Sequence, residues 1–356
     1  MYTMSSDIKC LRFSEINLND SFFDSLKADY GGFEDWFKKK AFSGAEAYVQ
    51  YDNGHIQAFL YMKDESGEVL NDIIPPRPAC KRLKVGTFKI DAHNTKLGER
   101  FVKKILDKAI VDNYDEVYVT VFPKHTGLIA LLERYGFVKE AEKTGEGVYF
   151  KNMKALTGNL LKDYPLISTH GRRKFLLAIY PKFHTRLFPD SILRNEDDKR
   201  YELIKDVSYT NSIHKIYLCF IPDTASLKPG DLVAIYRTND NLGPAKYRSV
   251  ITSICQVEEV RTKASFNTVE EYLDYTNKYS IFDRQDLISW YRQKNVIILK
   301  MTYNIALSKR VTRGYLLDEV GIPAEYYWGF FQLTDGQFDA ILKKGEINEN
   351  IIINKA

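Results

Sequence analysis

Twice between Arg82 and Tyr135 the chain reads as a strand, then a short polar turn, then a helix with a single apolar stripe, and this repetition restricts the architecture more than any other feature. Arg82 to Asp91 has the pattern of a strand and His93 to Gly98 is a polar turn. Leu97, Phe101, Val102, Ile105, Leu106, Ala109 and Ile110 then recur at helical spacing. Glu116 to Phe122, Lys124 to Gly127 and Leu128 to Tyr135 repeat the order, and Gly136 stands where a glycine ends a helix.

The flanks supply the remaining layers. Phe22 to Leu26 and Phe33 to Phe42 carry helical spacing, separated by Gly31-Gly32. Ala45 to Tyr51 and His55 to Lys63 alternate as strands around Asn53-Gly54, a strong hairpin signal. A third run, Glu68 to Ile74, stops at Pro75-Pro76-Arg77-Pro78, and Gly147 to Lys151 is expected to close the sheet. The expected class is α+β, with a mixed sheet.

At 356 residues the chain has room for two cores. A domain is expected over 1–155, a basic helical connector over 156–205, and a second domain over 206–356. The connector reading rests on the absence of acidic residues between Tyr164 and Pro189, where Arg172, Arg173, Lys174, Lys182 and Arg186 cluster. Beyond it, Lys215 to Ile221, Asp231 to Arg237, Tyr247 to Arg261 and Val296 to Tyr303 read as strands. Lys228-Pro229-Gly230-Asp231 is a turn into one of them, and helices are expected at Val269 to Tyr279 and Gln285 to Lys294.

The net charge of +4 does not by itself call for a polyanionic partner. Cys10, Cys80, Cys219 and Cys255 form no CxxC pair, so neither a zinc knuckle nor a redox motif has support, and free buried thiols are expected. No apolar run reaches the roughly 20 residues of a membrane span, and no secretory leader is legible, so cytoplasmic residence is the expectation. Oligomeric state is left open.

A polar loop entering a helix presents backbone N–H groups and the positive end of the helix dipole, which suits a diphosphate. His93-Asn94-Thr95-Lys96-Leu97-Gly98 is either such a cradle or an ordinary strand-to-helix turn. The order of elements and this loop resemble the GNAT superfamily, whose acetyl-CoA motif is Gln/Arg-x-x-Gly-x-Gly/Ala. Here the last glycine, Gly98, matches, while His93 and Lys96 replace the first residue and the middle glycine. His125 through Glu133-Arg134-Tyr135-Gly136-Phe137 is similar to the family's Asn-x-x-Ala-x-x-x-Tyr-x-x-x-Gly-Phe segment.

The resemblance implies an N-acetyltransferase with acetyl-CoA as cofactor. The strand before the loop would splay, with the amides of Phe88, Lys89 and Ile90 holding the pantetheine and polarising the thioester, and residues 93 to 99, ending at Glu99, would seat the diphosphate. Leu132 stands where the family has its tyrosine acid. His125 occupies the family's asparagine position, as a proton donor or as a plain surface histidine. Asp91 or a chain of waters is the candidate base.

Leu227 to Arg237 and Trp328 to Thr334 resemble the PUA-like superfamily, its ASCH domains in particular, over about Asp206 to Lys344. That resemblance implies a β-barrel with helices and RNA as a partner, with Arg237, Lys246, Arg248, Lys309, Arg310 and Arg313 as candidate contacts; the Lys309–Arg313 cluster is equally readable as a solvated face. The leading reading is acetyl transfer to an amine on RNA or on an RNA-associated substrate. Two alternatives stand: an inactive RNA-binding or regulatory protein, favoured by Leu132 and the missing loop glycine, and an enzyme acting on a protein or small amine.

Overall fold

The computed structural model describes residues 8–91, 96–188, 191, 212–293 and 295–354. Two compact units divide the chain, Met1–Ala155 and Leu156–Ala356.

In the first unit the elements follow as β1 (Lys9–Arg12), α1 (Asp24–Asp29), α2 (Phe33–Phe42), β2 (Glu46–Asp52), β3 (His55–Asp64), β4 (Arg82–Ile90), α3 (Leu97–Val111), β5 (Glu116–Val121), α4 (Thr126–Arg134), β6 (Val138–Lys143) and β7 (Glu146–Asn152). They build a seven-stranded sheet in the order β1-β2-β3-β4-β5-β7-β6. Only β4 and β5 run parallel, because α3 carries the chain back between them; the other neighbours are antiparallel. The β2–β3 hairpin turns through Asn53 and Gly54, both left-handed at φ 48° and 84°.

Each face of the sheet has its own cover. Phe13, Phe22, Phe23, Phe33 and Phe37 pack with Val49, Phe59 and Tyr61 on the α1–α2 face. On the other face α3 buries the stripe Leu97, Phe101, Val102, Ile105, Leu106, Ala109 and Ile110, with Phe101 stacked 6.0 Å from Phe88. Burial stabilises by roughly 1.5–3 kcal/mol for each large side chain of that stripe. The run Glu68 to Ile74 forms no strand. It contributes only the bridges Leu70 to Arg77 and Ile74 to Glu142, since the prolines beyond it remove ladder donors.

The second unit is a six-stranded mixed sheet with helices, in the order β13-β8-β10-β11-β12-β9. Its strands are β8 (Lys174–Ile179), β9 (His214–Cys219), β10 (Leu232–Arg237), β11 (Val250–Thr262), β12 (Ile297–Thr312) and β13 (Phe330–Leu333). The two long strands, β11 and β12, shift register three times against each other. The expected turn before β10 is present: Gly230 sits at φ 92°, and the Lys228 amide donates to Asp231 Oδ2 at 2.6 Å.

The connector expected over 156–205 needs correction. Residues 174–179 are β8, paired in parallel with β10 and antiparallel with β13, and are nearly all buried. Two of the basic residues that gave the linker impression are anchors instead. Arg173 Nε donates to Asp231 at 3.0 Å, and Lys174, 2% exposed, reaches Asp335 at 2.6 Å.

Cys219 and Cys255 are buried thiols, whereas Cys10 is exposed and Cys80 half-buried. Among the described residues no helix is long and apolar enough to cross a membrane, and no group of three His, Cys, Asp or Glu side chains is placed to hold a metal ion.

Candidate active site

The sheet of the first unit opens in its middle. The β4–β5 ladder begins at Arg82 opposite Glu116 and stops at Val85 opposite Val119. Past that point β4 stays on β3 as far as Ile90, and β5 stays on β7 as far as Val121. Among the described residues no strand pairs with the inner edge of β4 beyond Val85, so alternate backbone N–H groups of that stretch turn into a gap. At the other end the strands are clamped: Glu116 accepts from Arg82 Nε at 2.5 Å and from Arg77 Nη2 at 2.7 Å. Gly86 lies where the β3–β4 register shifts. A Cβ there would meet Tyr61 Cδ1 at 2.8 Å, so only glycine lets the strand bend past that ring.

A cavity of about 1030 Å³ occupies the gap. It passes through the sheet, because it is lined by Gly98, Leu131 and Arg134 of α3 and α4 on one face and by Leu26, Phe33 and Trp36 of α1 and α2 on the other. The starts of α3 and α4 both reach it, at Lys96–Gly98 and Thr126–Gly127, and a helix start directs backbone donors and a positive dipole end outward.

Of the residues singled out by sequence, Phe88, Lys89, Ile90, Lys96, Gly98, Glu99 and His125 line this cavity, as does Asp91. Leu97 is 6% exposed and belongs to the core stripe of α3. His93, Asn94 and Thr95 lie outside the described residues. Lys89 pairs with Asp91 at 3.1 Å, and the buried Glu99 holds Arg134 at 3.3 Å. Gly98 also meets a packing demand. Its missing Cβ would point at Leu131 Cδ2, 2.8 Å away, and at Ile90 Cδ1, 3.6 Å away, so its smallness lets α3 settle against α4 and β4. Gly127, at the start of α4, has nothing within 4 Å of where a Cβ would stand.

Leu132 and Tyr135 are fully buried, and neither lines the cavity. His125 is 45% exposed, with Nε2 3.6 Å from Asp29 Oδ2. Asp29 also accepts from Lys124, whose ammonium holds its carboxyl below the usual range. Tyr30 donates its hydroxyl to Glu146 Oε1 at 2.8 Å; burial and that carboxylate push the phenol pKa up, so Tyr30 stays neutral. Sequence reasoning missed Asp29, Tyr30 and Trp36. The sole local signal was a glycine pair breaking a helical pattern.

In the second unit the six candidate cations have internal partners. Arg248 forms a two-point pair with Asp240, and Arg237, 1% exposed, lies 3.7 Å from the same carboxylate. Lys246 reaches Asp318 at 2.8 Å and Lys309 reaches Glu346 at 2.5 Å. Arg310 donates to the Thr252 and Leu307 carbonyls at 3.2 and 2.5 Å, and Arg313 stacks 4.4 Å over Trp328.

No protein-family model matches the chain, and no curated protein matches it in sequence. Among solved structures it is similar to the N-acetyltransferase PseH of Campylobacter jejuni in complex with acetyl coenzyme A, at 12% identity over 41% of this chain and 99% of that one, with a TM-score of 0.29. A GNAT family acetyltransferase from Elizabethkingia anophelis with acetyl-CoA bound is similar at 13% identity over 42% of this chain and 99% of that one, TM-score 0.30. A mutant ASCH protein from Zymomonas mobilis is similar at 8% identity over 48% of this chain and 96% of that one, TM-score 0.32. Each of these likenesses spans less than half of the chain.

Proposed function

We propose that the first unit is an acetyl-CoA-dependent N-acetyltransferase that moves an acetyl group to an amine. The observation that carries the reading is the gap beyond Val85 and Val119, filled by a cavity that reaches both faces of the sheet. Such a gap lets two reactants meet from opposite sides, which is what direct transfer between bound molecules needs.

The residues present fit the cofactor. The inner edge of β4 from Gly86 to Ile90 offers backbone donors to an extended, amide-bearing arm, and the starts of α3 and α4 offer dipole ends to a diphosphate, with Lys96 beside them. Acetyl-CoA supplies an activated acyl carbon: the amine nitrogen bonds to it as the C–S bond breaks, the thiolate gains a proton and the amine loses one. The chain aligns the two partners, and N–H groups on β4 stabilise charge on the carbonyl oxygen. His125 is assigned the proton for the thiolate, with Asp29 orienting the ring.

An RNA-borne acceptor chosen by the second unit was the finer expectation. Arg237, Lys246, Arg248, Lys309, Arg310 and Arg313 all serve contacts within that unit, so the acceptor is better sought in the cavity itself.

Calorimetric titration with acetyl-CoA tests the reading, together with thiol release in the presence of amines. Gly127→Glu places a carboxylate in open space at the start of α4, where it would repel a diphosphate. Binding by the unaltered chain and loss of about tenfold or more in affinity on substitution is the expected result. Absence of binding by the unaltered chain defeats the proposal.

A further inference from the structure

The two mouths of the cavity differ in chemistry. On the α3–α4 face lie two helix starts with Lys96 and Arg134, a setting for phosphates. On the other face the segment from Ser25 to Trp36 contributes an apolar wall of Leu26, Phe33 and Trp36 and one carboxylate, Asp29, which is paired with Lys124. Trp36 is half-buried, standing edge-on to Phe13 at 5.6 Å and to Tyr61 at 5.7 Å, so its orientation is set by packing while part of its surface still faces the cavity.

This second mouth is also narrowed. The turn Tyr30-Gly31-Gly32 is tied down at two neighbouring residues: Asp29 to Lys124 and His125, and Tyr30 to Glu146 on the β6–β7 hairpin, with the Tyr30 ring 5.3 Å from Phe122. The tie holds a loop from the start of the unit against a hairpin at its end. Gly31 and Gly32 line the cavity with nothing within 4 Å of where a Cβ would be, so the opening owes its width to the lack of side chains there.

Resting on the transferase reading above, we infer that the acceptor is a small primary amine carrying an apolar or aromatic group. It enters by the α1–α2 mouth, lays that group against Trp36, Phe33 and Leu26, and brings its nitrogen to the gap between β4 and β5. A wall with aromatic faces suits the apolar part of an amine and can also receive its ammonium; Lys124, the cation that meets this wall, is already engaged by Asp29.

The experiment measures acetyl transfer by the full chain to phenethylamine, hexylamine, spermidine, a lysine peptide and an RNA oligomer, beside calorimetry with acetyl-CoA alone. Phenethylamine and hexylamine are expected to exceed the other three by about tenfold or more in kcat/KM, since apolar pockets discriminate by roughly that factor per methylene. Gly31→Trp is chosen to fill the mouth; its φ lies outside the left-handed region and nothing stands within 4 Å of the new Cβ. It is expected to lower transfer to phenethylamine about tenfold or more while acetyl-CoA affinity and melting temperature hold. Gly31→Val, a smaller plug, should give a smaller loss in the same sense.

Preference for spermidine, peptide or RNA overturns the inference and leaves the transferase reading standing. So does unchanged transfer by a folded Gly31→Trp chain. Failure of the unaltered chain to bind acetyl-CoA removes both.

Discussion

Val85 and Val119 are the last partners on the β4–β5 ladder, three residue pairs on from the clamp between Arg82 and Glu116. One end of a parallel pair is thus locked and the other is open. The locked end fixes the angle at which the strands part.

That relationship makes Glu116 a test of the hinge. Arg82 is fully buried and donates to Glu116, to the Glu68 carbonyl at 3.0 Å and to the Pro78 carbonyl at 2.7 Å. Glu116→Gln leaves a buried guanidinium without its counter-charge, and a loss of about 3 kcal/mol in unfolding free energy is expected. Denaturant unfolding of the variant measures it. A change below about 0.5 kcal/mol would show that the carbonyls alone suffice.

Gly98 and Gly127 should respond oppositely to substitution. Gly98→Trp drives an indole at Leu131 and Ile90, so a lower melting temperature is expected along with any loss of acetyl-CoA affinity. Gly127→Trp extends into open space and should block acetyl-CoA while the melting temperature stays put. Thermal melts beside calorimetry separate the two, and equal destabilisation by both would contradict the assigned roles.

His125→Gln is expected to lower kcat about 100-fold, with the acetyl-CoA affinity nearly unchanged, if the imidazole supplies the thiolate's proton. Asp29→Asn should lower kcat less, because it loosens the ring 3.6 Å away and leaves the donor in place. Steady-state kinetics on both variants decide the matter. Unaltered kcat for His125→Gln would assign the proton elsewhere.

Acid stability of the second unit should follow His184. This ring is fully buried, with Nε2 2.7 Å from Thr252 Oγ1; burial, and then the charges of Arg237 and Arg310, press its pKa down to about 3. The unfolded chain takes up this proton near pH 6.5, as an unperturbed histidine does, whereas the folded chain resists. Its contribution is therefore complete above about pH 6.5 and is lost as pH falls toward the folded value, at up to about 1.4 kcal/mol per pH unit. Denaturant midpoints at pH 7, 6 and 5 measure the slope. His184→Gln should flatten it, and an unchanged slope would exclude this histidine as its source.

Much of the first unit was legible because its signals are local. The stripe from Leu97 to Ile110 can be buried only as a helix, and Asn53-Gly54 accepts the left-handed turn that a hairpin needs. The edge strand β6 was not legible, because Val138–Lys143 is mostly exposed and polar and is held by its pairing with β7. The strand β8 was obscured in the same way by the basic residues beside it, whose acidic partners lie some 60 and 160 residues away, at Asp231 and Asp335.

The candidate site divides along the same line. Periodicity and turn chemistry by themselves determined that a strand leads into a polar turn and a helix at Lys96–Gly98, since those preferences act over a few residues. Only the tertiary structure decided that β4 and β5 part after Val85, that Gly98 faces Leu131, and that Asp29, Tyr30 and Trp36 wall the far mouth. Those facts arise from pairing and packing between segments 30 to more than 100 residues apart, where no local pattern carries information.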